Sequence, residues 1–133
     1  IRDPWPGKGY DVIMSTLCLH HIPEHDRMEV LKRIYEQLSA GGVFICGDII
    51  RPEDRKAEDL YRKRWIRHME NKGMSDQERM TILRSRDANY DDMETVLSFP
   101  AKMRDAGFSL VLMPYRHEIS AVFIGYRDFT FQS

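Results

Sequence analysis

An α/β fold is predicted by three features of this chain of 133 residues. Val12-Ile13-Met14 and Val43 to Ile50, the latter interrupted only by Gly47-Asp48, are short apolar runs, the pattern of strands covered on both faces. Between them, Glu24 to Leu38 repeats apolar residues at helical spacing, so a right-handed crossover makes the two strands parallel neighbours. Phe108 to Met113 and Ile119 to Tyr126 are β-rich runs. Their short connection, Pro114 to Glu118, permits an antiparallel hairpin and no crossover.

Taken in order, Ile1 to Gly9 is a lead-in rich in proline and glycine, with no regular pattern. The chain opens on Ile1 rather than Met and runs almost at once into a strand, which suggests a piece of a longer protein or the loss of an upstream segment. In the helix Glu24 to Leu38, Met28, Leu31, Tyr35 and Leu38 form one stripe with Ile34 beside it, while Arg27, Glu29, Lys32, Arg33 and Glu36 are expected outside. Gly41-Gly42 should end that helix, since glycine accepts the left-handed cap.

Residues 51–89 carry helical periodicity and no strand signal, and read as a helical insert or lid. The first insert helix, about Asp54 to Lys72, turns Ala57, Leu60, Tyr61, Trp65, His68 and Met69 to one side. Ser75 and Glu78 have capping-box spacing and open a second helix to about Ala88, with Met80, Leu83 and Ile82 inward. A last helix reaches Ala106-Gly107; Pro100, which lacks an amide hydrogen, belongs in its first turn behind Ser98 as cap, or else kinks a longer helix from Glu94. Asp128 to Ser133 reads as a tail.

The totals exclude several classes. With 42% hydrophobic and 31% charged residues and a formal net charge of −1, the chain reads as one ordered domain with no bulk attraction to DNA or membrane. No apolar run approaches the ~20 residues of a membrane helix, and no signal peptide is evident. Cys18 and Cys46 lie in apolar runs and read as buried thiols, so the cytoplasm is the expected compartment.

In open α/β sheets ligands bind beyond the carboxyl ends of the strands. The polar end of the first strand, Ser15-Thr16, and the turn that follows through Leu17 to His21 therefore form the rim of any site, with Asp48 at the end of the second strand. His20 and His21 suit proton transfer, because imidazole titrates near neutrality; the competing reading is a strand-end pair with one ring packed and one solvated. No metal site is expected, since adjacent histidines diverge and no further ligands complete a shell. Asp48 reads equally as a ligand group or a helix cap. Tyr61 and Trp65 read as core or as a substrate wall.

The elements run β, α, β, helical insert, α, β-hairpin. In that order, Tyr-Asp-Val-Ile-Met followed by Leu-His-His-Ile-Pro, then Leu-Ser-Ala-Gly-Gly-Val-Phe-Ile, then Met-Arg-Asp-Ala-Gly-Phe, resemble the carboxyl-terminal half of a class I S-adenosylmethionine-dependent methyltransferase. The resemblance covers about Tyr10 to Arg127 and implies half of a Rossmann-like sheet, strands four to seven in the order 4-5-7-6 with the last pair antiparallel. It implies S-adenosylmethionine as cofactor, bound by Ser15, Thr16 and Leu17, with Ser15 and Thr16 beside its methionine part and Leu17, His20 and Asp48 facing cofactor or substrate. Strands one to three, the glycine-rich loop and the acidic residue for the ribose have no counterpart in the sequence. Gly7-Lys8-Gly9 precedes a strand rather than following one and does not supply that loop.

Two functions follow as expectations. One is the back part of a methyltransferase, inactive as this stretch alone, acting on a small molecule or a tRNA. The insert is similar to those of small-molecule and tRNA wobble-uridine modifying members. Eight Lys or Arg against five Asp or Glu in residues 51–72, with Arg79, Arg84 and Arg86 nearby, leave an RNA or anionic acceptor open. The other is a non-catalytic half-domain that forms a homodimer through its first strand, which becomes a sheet edge when the missing half is absent.

Overall fold

Four strands form one mixed sheet in the order β1-β2-β4-β3 in the computed structural model, which describes residues 9–17 and 19–128. In chain order these are β1 (Tyr10–Thr16), α1 (Glu24–Gln37), β2 (Leu38–Ile49), α2 (Arg55–Asn71), α3 (Asp76–Asn89), α4 (Ser98–Ala106), β3 (Leu110–His117) and β4 (Ser120–Tyr126). β1 and β2 are parallel, with Val12 opposite Val43 and Met14 opposite Ile45. β4 then lies antiparallel to both β2 and β3. This is the expected 4-5-7-6 order. The lead-in through Lys8, Cys18 and the tail from Phe129 lie outside the described residues.

One face of the sheet holds the core. Phe44, Cys46, Ala121 and Phe123 point to Val30, Leu31 and Ile34 of α1 and to Phe99 and Met103 of α4. The helices approach so closely that Gly125 admits no side chain: a Cβ there would lie 2.6 Å from the Met103 methyl and 2.8 Å from the Phe108 ring.

The opposite face corrects the expectation that the apolar runs are covered on both sides. Met14, Ile45, Ile124 and Leu112 form a row across all four strands, and Met14 is 68% and Leu112 43% exposed. Val12 and Tyr115 are exposed as well. A continuous apolar run predicts two coverings; α1 and α4 both sit on one side, so these residues supply only one.

Other local expectations shift for identifiable reasons. α1 stops at Gln37, and Gly41-Gly42 lie inside β2 rather than at a helix cap. Leu38 is buried and already extended, opposite Tyr10. The carbonyls that α1 leaves open are taken by Arg127, whose guanidinium donates to Tyr35 O, Glu36 O and Leu38 O at 2.9, 3.2 and 2.7 Å. Arg27, expected outside, is 3% exposed and donates to Ile22 O and Glu94. Leu60, His68 and Met80, expected inward, are exposed. The hairpin is tighter than expected, with β3 running through Pro114 at a register shift, where an edge strand tolerates a missing amide. Pro100 does sit in the first turn of α4, but the capping oxygen is that of Thr95, which accepts from Leu97 N and Ser98 N; the Ser98 hydroxyl accepts from Thr95 N in return.

Candidate functional site

β1 ends at Thr16, and the chain turns sharply because Leu17 adopts a left-handed backbone, φ 54°, with its amide on Gly47 O at 2.8 Å. A short 3-10 turn, Leu19–His21, follows. Leu19 anchors it in the core, 3% exposed, and so brings His20 to the end of β2. There the buried Asp48 carboxylate accepts from the His20 amide at 3.1 Å and meets Nδ1 of its ring at 2.5 Å. A carboxylate at that distance takes a hydrogen bond from Nδ1, which selects the tautomer whose open acceptor is Nε2. Asp48 also accepts from Ile49 N at 2.8 Å, which fixes its own rotamer. The His21 ring lies against His20, centroids 3.9 Å apart.

Two clefts open beyond the strand ends and share Ile49 and Trp65 as a common wall. The first, about 510 Å³, is bounded by His20 and His21, by Thr81, Ile82, Ser85 and Asn89 of α3, and by Arg86 and Met93. The second, about 590 Å³, runs between α2 and the β3–β4 turn, with Leu17 at one end and the Arg64–Glu118 ion pair at the other.

The two helices that wall these clefts are held by a buried ionic cluster. Glu58 has no exposed surface and accepts from Arg86 through two bonds of 2.7 Å, and from Arg62 at 2.7 Å. Arg86 also donates to Ile50 O at 2.9 Å, fastening α3 to the end of β2. Burial pushes the Glu58 carboxyl up, but the two guanidinium groups outweigh it and hold the carboxyl below its ordinary value. The Tyr90 ring lies among Arg51, Arg55, Arg62 and Arg86, with Arg55 at 4.5 Å from its centroid. A second cluster joins α1 to α4: Glu94 accepts from Arg27 at 2.7 Å, from Ser98 at 2.7 Å and from Lys102 at 2.6 Å.

Of the residues singled out in the sequence, His20, His21 and Trp65 line the first cleft, Leu17 and Trp65 the second, and Asp48 stands behind His20. Ser15 is buried, and its hydroxyl has no hydrogen-bond partner; Thr16 beside it is exposed. Tyr61 is half-buried and Arg84 exposed, and neither lines the two clefts. The sequence reading missed Glu58 and the stripe Thr81, Ser85, Asn89, and it counted Arg86 among arginines open to an anion, whereas Arg86 is buried with Glu58 in the pair that fixes the helices. The i, i+4, i+8 spacing of three uncharged polar residues was the available signal.

Comparison with known proteins gives this geometry a class. A methyltransferase-domain family model matches residues 1–46. Two curated relatives are carboxy-S-adenosyl-L-methionine synthases, from Dichelobacter nodosus (31% identical over 112 residues, 83% of this chain and 44% of that protein) and Pseudomonas putida (28% over 109 residues, 80% and 43%). Among solved structures, the S-adenosylmethionine-dependent methyltransferase SibL in its apo form superposes with a TM-score of 0.60 at 15% identity, over 95% of this chain and 33% of that one. In sequence and in fold the chain is therefore methyltransferase-like, and its α/β sheet is that of the carboxyl-terminal strands of class I methyltransferases. It spans under half the length of the curated relatives it matches.

Proposed function

We propose that these residues form the acceptor side of an S-adenosylmethionine-dependent methyl-transfer site, with His20 as general base and Asp48 as its positioning residue. The observation that carries this is the Asp48–His20 pair at the carboxyl end of two parallel strands, at the mouth of a cleft. Asp48 keeps the ring in one orientation and one tautomer, so Nε2 takes the proton as an acceptor hydroxyl attacks. Ile49, Trp65 and Met93 give the cleft that His20 lines its apolar walls. The cofactor supplies, when bound, an electrophilic methyl on a sulfonium. Its methionine part fits Ser15, Thr16 and Leu17, where a buried serine hydroxyl lacks a partner beside two exposed residues. Among the described residues no group for the adenosine part is evident, so in this reading turnover requires the rest of a methyltransferase domain. In this reading residues 51–89 serve as a lid in a single partial domain, and the setting is cytoplasmic.

The test is methyl transfer and calorimetric titration with S-adenosylmethionine, using this chain alone and a polypeptide that includes the coding sequence upstream of Ile1. The longer polypeptide binds and turns over, and His20→Gln lowers kcat on the order of 10²-fold with little change in cofactor affinity. Full activity of the His20→Gln variant would remove the base from the account.

A second reading has a specific observation behind it: β1 is the edge of the described sheet and carries exposed Val12 and Met14. A half-domain of this shape forms a homodimer through that strand without catalysing anything.

A further inference from the structure

We infer that the methyl acceptor is a neutral, planar, hydroxyl-bearing small molecule, not a nucleic acid or another anion. This rests on the reading of the His20 cleft as the acceptor site, and it comes from the charge and hydrogen-bonding capacity of the wall.

The sequence offers a surplus of basic residues over 51–72 and three more arginines on α3. In the folded chain those nearest the clefts are committed elsewhere. Among the described residues Arg86 is the one Lys or Arg lining the first cleft; it is 5% exposed, and its donors go to Glu58, Ile50 O and Met93. Arg62 is held by Glu58 and Asp87, Arg79 by Asp76 and Met74 O, and Arg64, across Trp65, by Glu118. Arg84 is exposed away from the cleft. A phosphate entering here would meet no uncommitted guanidinium to replace its water.

Beside the committed Arg86, α3 presents the cleft with uncharged side chains that offer acceptors. Thr81 spends its hydroxyl hydrogen on Gln77 O at 2.9 Å, so its oxygen is left to accept. Asn89 spends one of its two amide hydrogens on Ser85 O at 2.8 Å, which leaves its side-chain carbonyl, with the second hydrogen beside it, to meet a ligand hydroxyl that both donates and accepts. Nε2 of His20 is a third acceptor, since Asp48 takes the hydrogen bond from Nδ1. Acceptors recognise donors, and a hydroxyl is the neutral donor that can also be methylated. The Trp65 indole and Ile49 give a flat ring an apolar face to lie on. The volume, about 510 Å³, is in the range of small-molecule sites.

The experiment uses the chain with Trp5→Phe, so that Trp65 is its only tryptophan, and follows indole fluorescence during titration with three probes. Resorcinol is neutral and carries two donors; 1,3-dimethoxybenzene has the same ring without donors; phenyl phosphate is an anion of similar size. The inference predicts saturable quenching by resorcinol, binding of the dimethoxy compound roughly tenfold weaker, and none by phenyl phosphate. Thr81→Val with Asn89→Leu weakens resorcinol roughly tenfold while the circular dichroism and the Trp65 emission maximum stay unchanged. Phenyl phosphate binding as tightly as resorcinol, with an affinity that falls as salt rises, would overturn the inference; so would a folded chain that resorcinol does not quench. The two readings fail separately. A longer polypeptide that binds resorcinol but transfers no methyl group leaves the recognition standing and removes the methyltransferase reading. One that methylates only anionic acceptors does the reverse.

Discussion

Asp48 does two things with one carboxylate: it accepts the His20 amide, which ends the turn after β1, and it orients the His20 ring. Asp48→Asn keeps an acceptor for the amide but no longer dictates the ring tautomer. In an active polypeptide we expect kcat to fall on the order of 10-fold to 10²-fold with KM nearly unchanged and the pH profile displaced. An unchanged profile would mean that Asp48 only shapes the turn. Glu94 is a residue of a different kind, because its role is stability. Burial alone would raise its carboxyl, but Lys102, Ser98 and Arg27 donate to it and hold it below its ordinary value of 4.5. A carboxyl depressed in the folded state stabilises that state above its unfolded value, and the contribution is lost as the pH falls through the lower folded value. Glu94→Gln should therefore cost about 2 kcal/mol in urea unfolding near neutral pH, with the gap from the unsubstituted chain closing in acid. Parallel stability curves across that range would contradict this assignment.

At the scale of elements, the helical pair α2–α3 is fixed by chemistry that hydrophobic periodicity does not reveal. Its apolar stripe is weak: Leu60 and Met80 are exposed, and Met69 alone of the expected stripe on α2 is fully buried. The bond from Glu58 to Arg86 and from Arg86 to Ile50 O does the fastening instead. Arg86→Ala leaves a buried carboxylate with only Arg62, so we expect a loss of about 3 kcal/mol in thermal or urea unfolding. Restoring neutrality with Glu58→Leu in the same chain should recover part of it; additive losses would show that the pair is not coupled. This marks what could be read beforehand. The order of elements, the parallel pair and the hairpin follow from periods of two and 3.6 residues and from linker length, and these are local properties. Arg27 and Glu58 were misread as outward or passed over because a charged side chain is buried only when a partner meets it, and theirs, Glu94 and Arg86, lie 67 and 28 residues away. The end of α1 was misplaced for the same reason: Gly41-Gly42 is a local cap signal, whereas Arg127, which takes the open carbonyls, comes from the far end of the chain. His20 and Asp48 were legible as rim residues because strand ends are where α/β sheets bind ligands; Trp65, on α2, was left open between core and substrate wall. The spacing of Thr81, Ser85 and Asn89 puts them on one side of α3, but nothing in the sequence says that this side faces His20.

For the whole molecule, the dominant feature is a sheet with one face packed and the other open. Val12, Met14, Leu112 and Tyr115 expose apolar surface that α/β sheets ordinarily cover. The chain alone should self-associate as its concentration rises. Val12→Lys with Met14→Lys should return it to a monomer by light scattering with little change in melting temperature, because neither side chain belongs to the core. A chain that is monomeric at every concentration would remove the homodimer reading. The central claim is that the rim from Ser15 to His21 is half of an S-adenosylmethionine site whose other half lies in the remainder of a methyltransferase domain. It is tested most directly by ultraviolet cross-linking of methyl-labelled S-adenosylmethionine to the polypeptide that includes the upstream coding sequence, followed by peptide mapping. The account predicts saturable labelling of the peptide that contains Ser15 to His21, lost on competition with S-adenosylhomocysteine; saturable labelling that leaves this peptide unmarked would contradict it.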